Sequence, residues 1–237
     1  MRRSVKGTSI RTAYYRPMKR FFDLLCSGIG FAILSPLFVV ISVFIKLDSP
    51  GPVLFKQERI GRGFRPFFIY KFRTMRHNAH RSGLQITAGG DTRITRIGHL
   101  LRNTKMDEWP QLINVLRGQM SLVGPRPEVR KYVEWYKDDY KRILSVRPGI
   151  TDISSITFRD EESMLGGLDD PEHYYVHSLL PEKMRLAEEY IQHASLSYDV
   201  KLMLKTLYKV MLPSKESRRK AASFRENVSD RERKGST

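Results

Sequence analysis

Residues 24–45, LLCSGIGFAILSPLFVVISVFI, carry no charged side chain, and this run limits the fold more than any other feature. Its 22 apolar or small residues, wound as a helix, are long enough to cross a hydrocarbon core of about 30 Å. A cleaved signal peptide is a competing reading, because basic residues precede the run. Its length and the lack of a small-residue cleavage site before Lys46 and Asp48 argue against that. A buried helix of a globular core is the other alternative. Lysine and arginine are abundant on both sides, from Arg2 to Arg20 and from Lys46 to Arg73, so both ends favour the cytoplasmic face. Ser35-Pro36 stands near the middle. Pro36 removes a backbone hydrogen bond and crowds the carbonyl of Ala32, which the hydroxyl of Ser35 can satisfy. These features predict a bent helix that enters and leaves by one leaflet, with a spanning, proline-kinked helix as the alternative.

Charge and composition divide the rest. In 237 residues, 42 Lys and Arg face 25 Asp and Glu, a net charge of +17 that calls for an anionic partner such as acidic lipid, nucleic acid or a phosphorylated substrate. The single cysteine, Cys26, excludes an internal disulfide or a cysteine-based metal cluster. The expected organisation is a basic arm over 1–18, a membrane helix-break-helix over 19–47, a catalytic domain with C-terminal amphipathic helices over 48–212, and a disordered tail over 213–237. Within the domain, Val53–Ile60 and Phe64–Thr74 read as strands joined across Gly61-Arg62-Gly63. Helical spacing covers Ile94–Leu101, Asp107–Leu116, Glu128–Arg142 and Pro181–Ala194. Tyr198–Leu212 sets Val200, Met203, Leu204, Leu207 and Met211 opposite Lys201, Lys205 and Lys209, as in a helix lying in a membrane interface or on a soluble core. The fold class is α/β in a loose sense: mostly helical, with a small antiparallel hairpin.

Chemistry-bearing candidates gather in a few stretches. Asp107 and Glu108 are adjacent carboxylates near a helix start, where acids also serve as ordinary caps. Arg93, Arg96, Arg102, Lys105, Arg117 and Arg126 flank them in sequence. A carboxylate amid such charge is expected to be ionised and able to attack phosphorus, with its neighbour free to hold Mg²⁺. In Gly124-Pro125-Arg126-Pro127 two prolines stiffen the chain around one guanidinium, as a phosphate clamp requires and as an ordinary turn also allows. Tyr70-Lys71-Phe72-Arg73 alternates along a strand, placing Lys71 and Arg73 on one face. His77 with His80, and His173 with His177, have helical spacing but no evident third ligand, so surface roles are expected.

In order along the chain, KRFFD (19–23), the apolar run with Ser35-Pro36, SPGPVLFKQERIG (49–61), YKFRTM (70–75), DTRITRIGHLLRNTKMDEWPQLINVLRG (91–118), SLVGPRP (121–127) and RPGIT (147–151) resemble the bacterial sugar transferase family, the small monotopic phosphoglycosyl transferases. The likeness runs from about Lys19 to Ile150. It implies a re-entrant helix broken at Ser35-Pro36, with a compact catalytic domain on the cytoplasmic face of the bacterial inner membrane. It further implies a UDP-sugar donor, undecaprenyl phosphate as acceptor, and two-step chemistry that opens exopolysaccharide or glycoconjugate synthesis. Asp107 matches the family's nucleophile, which forms a covalent phosphosugar intermediate with release of UMP. Glu108 matches the Mg²⁺-associated carboxylate. Arg126 and Arg102 match basic residues near the phosphates, and Lys71 and Arg73 are further phosphate-binding candidates. Arg20 and Asp23 are expected to pair at the headgroup level, among anionic lipids. After Thr151 the chain departs from the commonest pattern, with Asp152-Ile153-Ser154-Ser155 and then Phe158-Arg159-Asp160-Glu161-Glu162, so the sugar stays open, as does assembly into a homo-oligomer. Two rival readings are a membrane-tethered nucleic-acid-binding module and an inactive scaffold. The first accounts for neither the dyad nor the Pro-Arg-Pro loop, so no nucleic-acid partner is expected.

Overall fold

The computed structural model describes residues 8–76, 91–159, 161–166 and 168–211. The 213–237 tail, His77 and His80 therefore lie outside the described residues, as does the start of the basic arm.

Helix α1 runs without interruption from Thr8 to Asp48. It begins inside the segment assigned to the arm and passes through both Pro17 and Pro36. The expected break at Ser35-Pro36 thus does not end the helix. The Ser35 hydroxyl donates to the Ala32 carbonyl at 2.8 Å, so the acceptor that Pro36 deprives of its usual N–H is satisfied locally. Helical geometry can then continue. At about 1.5 Å per residue α1 is about 60 Å long, roughly twice a hydrocarbon core.

One side of α1 lies on the domain along most of this length. Near its start Lys19 reaches Asp199 at 2.6 Å, and Asp23 accepts from Ser121 Oγ at 2.8 Å and from the Leu122 amide at 3.1 Å. Near its end Ile41 and Ile45 pack with Phe72 and Leu101. The other side exposes an apolar row that includes Phe21, Ile29, Ile33, Val40, Phe44 and Leu47.

The hairpin forms as expected. Strand β1 (Leu54–Ile60) pairs antiparallel with β2 (Pro66–Phe72), and Arg62–Phe64 makes a short 3-10 turn between them. Gly63 takes φ +68 in that turn, a conformation glycine adopts without a Cβ penalty. Helix α2 (Arg96–Thr104) follows, capped by Thr95, whose hydroxyl accepts from the Gly98 amide at 3.0 Å. A 3-10 helix, Met106–Gln111, leads into α3 (Leu112–Leu116). Next come β3 (Ser121–Val123), α4 (Arg130–Trp135), α5 (Lys137–Ile143) and β4 (Gly149–Thr151), so the single helix expected over Glu128–Arg142 is two, divided at Tyr136. Strands β3 and β4 pair in parallel, a sheet with no signal in the hydrophobic pattern because each strand has three residues. Gly124 and Gly149 permit this pairing: a Cβ on Gly149 would stand 2.1 Å from the Gly124 amide nitrogen.

The C-terminal layer comprises α6 (Ile153–Thr157), α7 (Glu161–Leu165), α8 (Pro171–Tyr174), a π-helical turn over Tyr175–Leu179, α9 (Leu180–His193) and α10 (Leu196–Met211). Its main core joins Val129, Tyr132, Phe158, Leu165, Tyr175 and Leu179. Helix α10 buries Leu202 and Asp199 but leaves Val200, Leu204, Leu207 and Tyr208 exposed. The apolar stripe read from the sequence is therefore largely turned outward.

Candidate active site

The dyad is built on a backbone detour. Lys105 closes α2 with φ +58, a left-handed conformation that costs a residue with a Cβ on the order of 1 kcal/mol. That turn starts the 3-10 helix carrying Asp107 and Glu108, where the sequence pattern predicts the first turn of an α-helix. Asn114 then fastens the segment to β2. Its side chain accepts from the Tyr70 amide at 3.1 Å and donates to the Phe68 carbonyl at 2.7 Å, much as a neighbouring strand would. Fully buried, Asn114 has both ends satisfied, which fixes the dyad against the strand that bears Lys71.

Two cations converge on Glu108. Lys71 Nζ donates to Glu108 Oε1 at 2.8 Å. Arg126 donates through one terminal nitrogen to the same oxygen and through the other to Oε2 at 3.2 Å. Arg126 also reaches Ser155 Oγ at 3.2 Å, which brings α6, in the segment that departs from the common pattern, into the site. Asp107 sits beside this cluster with 8% exposure, and its Oδ1 is buried with no hydrogen-bond partner.

The electrostatics of the two carboxylates diverge accordingly. Burial pushes Asp107 up, the charge of Glu108 adds to the rise, and Lys71, Lys105 and Arg102 oppose it without cancelling it. The basic surroundings thus do not offset burial, and Asp107 is a carboxyl with a raised affinity for a proton. Burial also pushes Glu108 up, but Arg126 and Lys71 outweigh it and hold that carboxyl well below its usual range. Burial lowers Lys71, with both carboxylates opposing. One member of the dyad is a clamped anion, and the other is a buried group with a free oxygen. Such a split separates roles.

Other predicted residues fall into place unequally. Arg102 donates to Thr74 Oγ1 at 2.9 Å and pairs with Glu162 of α7 at 2.7 Å, within electrostatic reach of Asp107. Arg73 is a correction. Strand β2 ends at Phe72, so Arg73 does not share a face with Lys71. Arg73 is 5% exposed, and its guanidinium donates to the carbonyls of Ser49 at 2.6 Å, Pro50 at 3.0 Å and Ile45 at 3.3 Å, closing the C-terminal end of α1. The Arg20–Asp23 pair is a second correction. Arg20 reaches the Leu116 carbonyl at 3.4 Å, and Asp23 is taken by donors of β3. Unpaired polar groups of the domain outcompete the i, i+3 neighbour for each. His173 and His177 stack at 4.2 Å, and no group of three or more His, Cys, Asp and Glu comes together among the described residues. Two adjacent carboxylates with one unpartnered oxygen do match Mg²⁺, which usually keeps water and phosphate among its ligands.

Sequence reasoning missed Glu128, read only as a helix start. The buried Glu128 carboxylate accepts from Arg59 at 2.8 Å and from the Tyr175 hydroxyl at 2.8 Å. An acid directly after a Pro-Arg-Pro loop was the available signal, but its partners lie far off in sequence.

Much of this sequence is shared with known proteins. The chain is 36% identical over 212 residues to the UDP-N-acetylgalactosamine-undecaprenyl-phosphate N-acetylgalactosaminephosphotransferase of Aeromonas hydrophila, covering 86% of this chain and 46% of that protein. It is 37% identical over 192 residues to the UDP-glucose:undecaprenyl-phosphate glucose-1-phosphate transferase of Caulobacter vibrioides, covering 80% of this chain and 68% of that protein. With the transferase of the same name from Escherichia coli K12 it shares 33% identity over 198 residues, 82% of this chain and 40% of that protein. The chain thus spans less than half the length of two of these three relatives. The profile of the bacterial sugar transferases matches residues 14–213, a stretch that contains the dyad, the Pro-Arg-Pro loop and the whole of the apolar run, and the chain belongs to that family.

Proposed function

We propose that this protein transfers a phosphosugar from a UDP-sugar to undecaprenyl phosphate through an acyl phosphate on Asp107, opening the synthesis of an exopolysaccharide or other glycoconjugate. The observation that carries this reading is the split dyad: a buried Asp107 with an unpartnered oxygen beside a Glu108 held as an anion by Lys71 and Arg126. Asp107 attacks the phosphorus that bears the sugar. The bond from that phosphorus to the bridging oxygen breaks, and UMP leaves with the electron pair. A phosphate oxygen of the polyprenyl acceptor then attacks the same phosphorus, the bond to Asp107 breaks, and the free carboxylate returns. Phosphoryl transfer of this kind needs positioning and charge neutralisation more than covalent apparatus. Arg126, Lys71 and Arg102 supply fixed positive charge around the diphosphate, and Asp107 Oδ1 with Glu108 would hold Mg²⁺. Bound there, Mg²⁺ supplies further positive charge to the phosphates.

The membrane reading rests on α1. Both its ends are tied to one domain while its outer side exposes an unbroken apolar row, so a monotopic seat on the cytoplasmic face of the inner membrane fits better than a span. The exposed Val200, Leu204 and Leu207 of α10, flanked by Lys201 and Lys205, suit the same anionic interface. In a Cys26→Ser background, Met18→Cys and Leu47→Cys are expected to react with an impermeant thiol reagent from the cytoplasmic side only. Labelling of the two positions from opposite sides rules out the monotopic arrangement.

Chemistry is tested with radiolabelled UDP-sugars and membranes containing the protein. Label is expected to pass into a polyprenol-extractable lipid, and a panel of donors identifies the sugar. Mass spectrometry of donor-treated protein without acceptor is expected to find a phosphosugar adduct on Asp107. Transfer to lipid with no adduct on that residue overturns the two-step scheme.

A further inference from the structure

The Pro-Arg-Pro loop is held from both sides. Toward β4, the Gly124 amide donates to the Thr151 carbonyl at 3.0 Å, and the Gly149 amide donates to the Pro125 carbonyl at 2.9 Å. Toward β1, the Ile60 amide donates to the Glu128 carbonyl at 2.9 Å, and Arg59 donates to the Pro127 carbonyl at 3.3 Å. These four bonds leave Arg126 at the crest of the loop.

A buried charge sits directly beneath. Glu128, 7% exposed, has every carboxylate bond directed. Oε1 accepts from Arg59 at 2.8 Å and from the Val129 amide at 3.0 Å, and Oε2 accepts from the Tyr175 hydroxyl at 2.8 Å. Lys183 lies 4.6 Å from the centre of the Tyr175 ring, donates to its hydroxyl at 3.3 Å and pairs with Glu161 at 2.6 Å. Burial pushes the Glu128 carboxyl up, yet Arg59 and Lys183 pull it back below its ordinary value, so it stands as an anion. A paired buried charge of this sort is weak as a source of stability but strict in geometry, because its desolvation is compensated only while every partner is in place.

We propose that Glu128 is a positioning residue for the reaction: through Arg59 on β1 and Tyr175 on the π-helical turn, it locks the Pro-Arg-Pro loop so that Arg126 meets the donor's phosphates in one orientation. The proposal rests on the phosphosugar-transfer reading of the site. Among the described residues the Glu128 carboxylate bonds to Arg59, Tyr175 and the Val129 amide, and its whole effect on turnover passes through the Arg126 guanidinium. A guanidinium displaced by even about 1 Å from productive geometry can cost on the order of 100-fold in rate.

A double-mutant cycle reads this directly. In the full-length protein in membranes, Glu128→Gln is expected to lower turnover of a UDP-sugar by about 10- to 100-fold. Arg126→Ala is expected to lower it by about 10²–10³-fold, as loss of one charge-stabilising donor does. In the Arg126→Ala background, Glu128→Gln is expected to change turnover by less than about twofold. Tyr175→Phe removes one bond and keeps the charge pair, so it carries the same test with a smaller loss if Glu128→Gln fails to fold. Equal factors in both backgrounds mean that Glu128 supports the fold at large, and no loss in the wild-type background means that it positions nothing; either overturns the proposal. Absence of transfer by the wild-type protein is a different outcome, since it defeats the proposed function before the cycle begins.

Discussion

Asp107→Asn is expected to abolish phosphosugar transfer, by about 10⁴-fold or more in turnover, while leaving the protein folded and at least as stable as before. The two halves of this outcome have separate causes. Asparagine has no carboxylate to attack phosphorus, so no adduct forms and no other side chain replaces it. Stability follows from burial: Asp107 Oδ1 has no hydrogen-bond partner, and desolvation raises its carboxyl with Glu108 adding to the rise. The folded state therefore holds the Asp107 proton more tightly than the unfolded chain does. Folding loses stability as pH climbs from the ordinary carboxylate value through the raised one, and above the raised value the full cost of burying the charge is present. The neutral amide removes that cost. Thermal unfolding of the variant at pH 7 is expected at the wild-type temperature or above. The difference should shrink below the ordinary carboxylate range, where both states of Asp107 are protonated. The same raised carboxyl sets an acid limb in the pH dependence of kcat/KM above the usual carboxylate range, because only the ionised form attacks. Wild-type-like turnover in Asp107→Asn removes the nucleophile from this account. A marked loss of stability removes the strained carboxyl.

The sequence discloses these features to the degree that each depends on local pattern. The uncharged run of α1 is legible from composition alone, and the β1–β2 hairpin from alternation around Gly61-Arg62-Gly63. Even the Ser35 bond to the Ala32 carbonyl follows from what a proline does one position later. Partners across the fold are not legible in this way. Lys71 and Arg73 are alike in sequence, yet one faces Glu108 and the other closes α1, because the strand ends between them. Asp23 and Arg20 have the spacing of a helical ion pair but separate, since β3 offers Asp23 two donors. The path of the dyad hinges on Lys105, whose left-handed backbone no propensity foretells. Resemblance to a family locates Asp107, Glu108 and Arg126, and packing alone shows that the first is a burdened acid and the second a clamped anion.

Glu108→Gln should give the opposite stability signature from its neighbour, although it also abolishes transfer. Glu108 is the common counter-charge of Lys71 and Arg126, and the three side chains are each no more than about one-third exposed. Glutamine keeps the shape but removes the charge, leaving two adjacent half-buried cations to repel each other. Removing one partner from a buried ion pair costs about 3 kcal/mol or more, because the remaining charge stays desolvated. Arg126 does not shed a proton, so the strain falls on Lys71, which burial already lowers and which also loses the nearest anion opposing that fall. Turnover falls because the clamp on the diphosphate loses its alignment and because one of the two carboxylates suited to Mg²⁺ is gone. Thermal unfolding and label transfer, measured together on the two variants, separate the roles. Both lines fall for Glu108→Gln, and only transfer falls for Asp107→Asn. Should Glu108→Gln unfold at the wild-type temperature, the paired cations do not depend on it, and the division of the dyad into anchor and nucleophile fails.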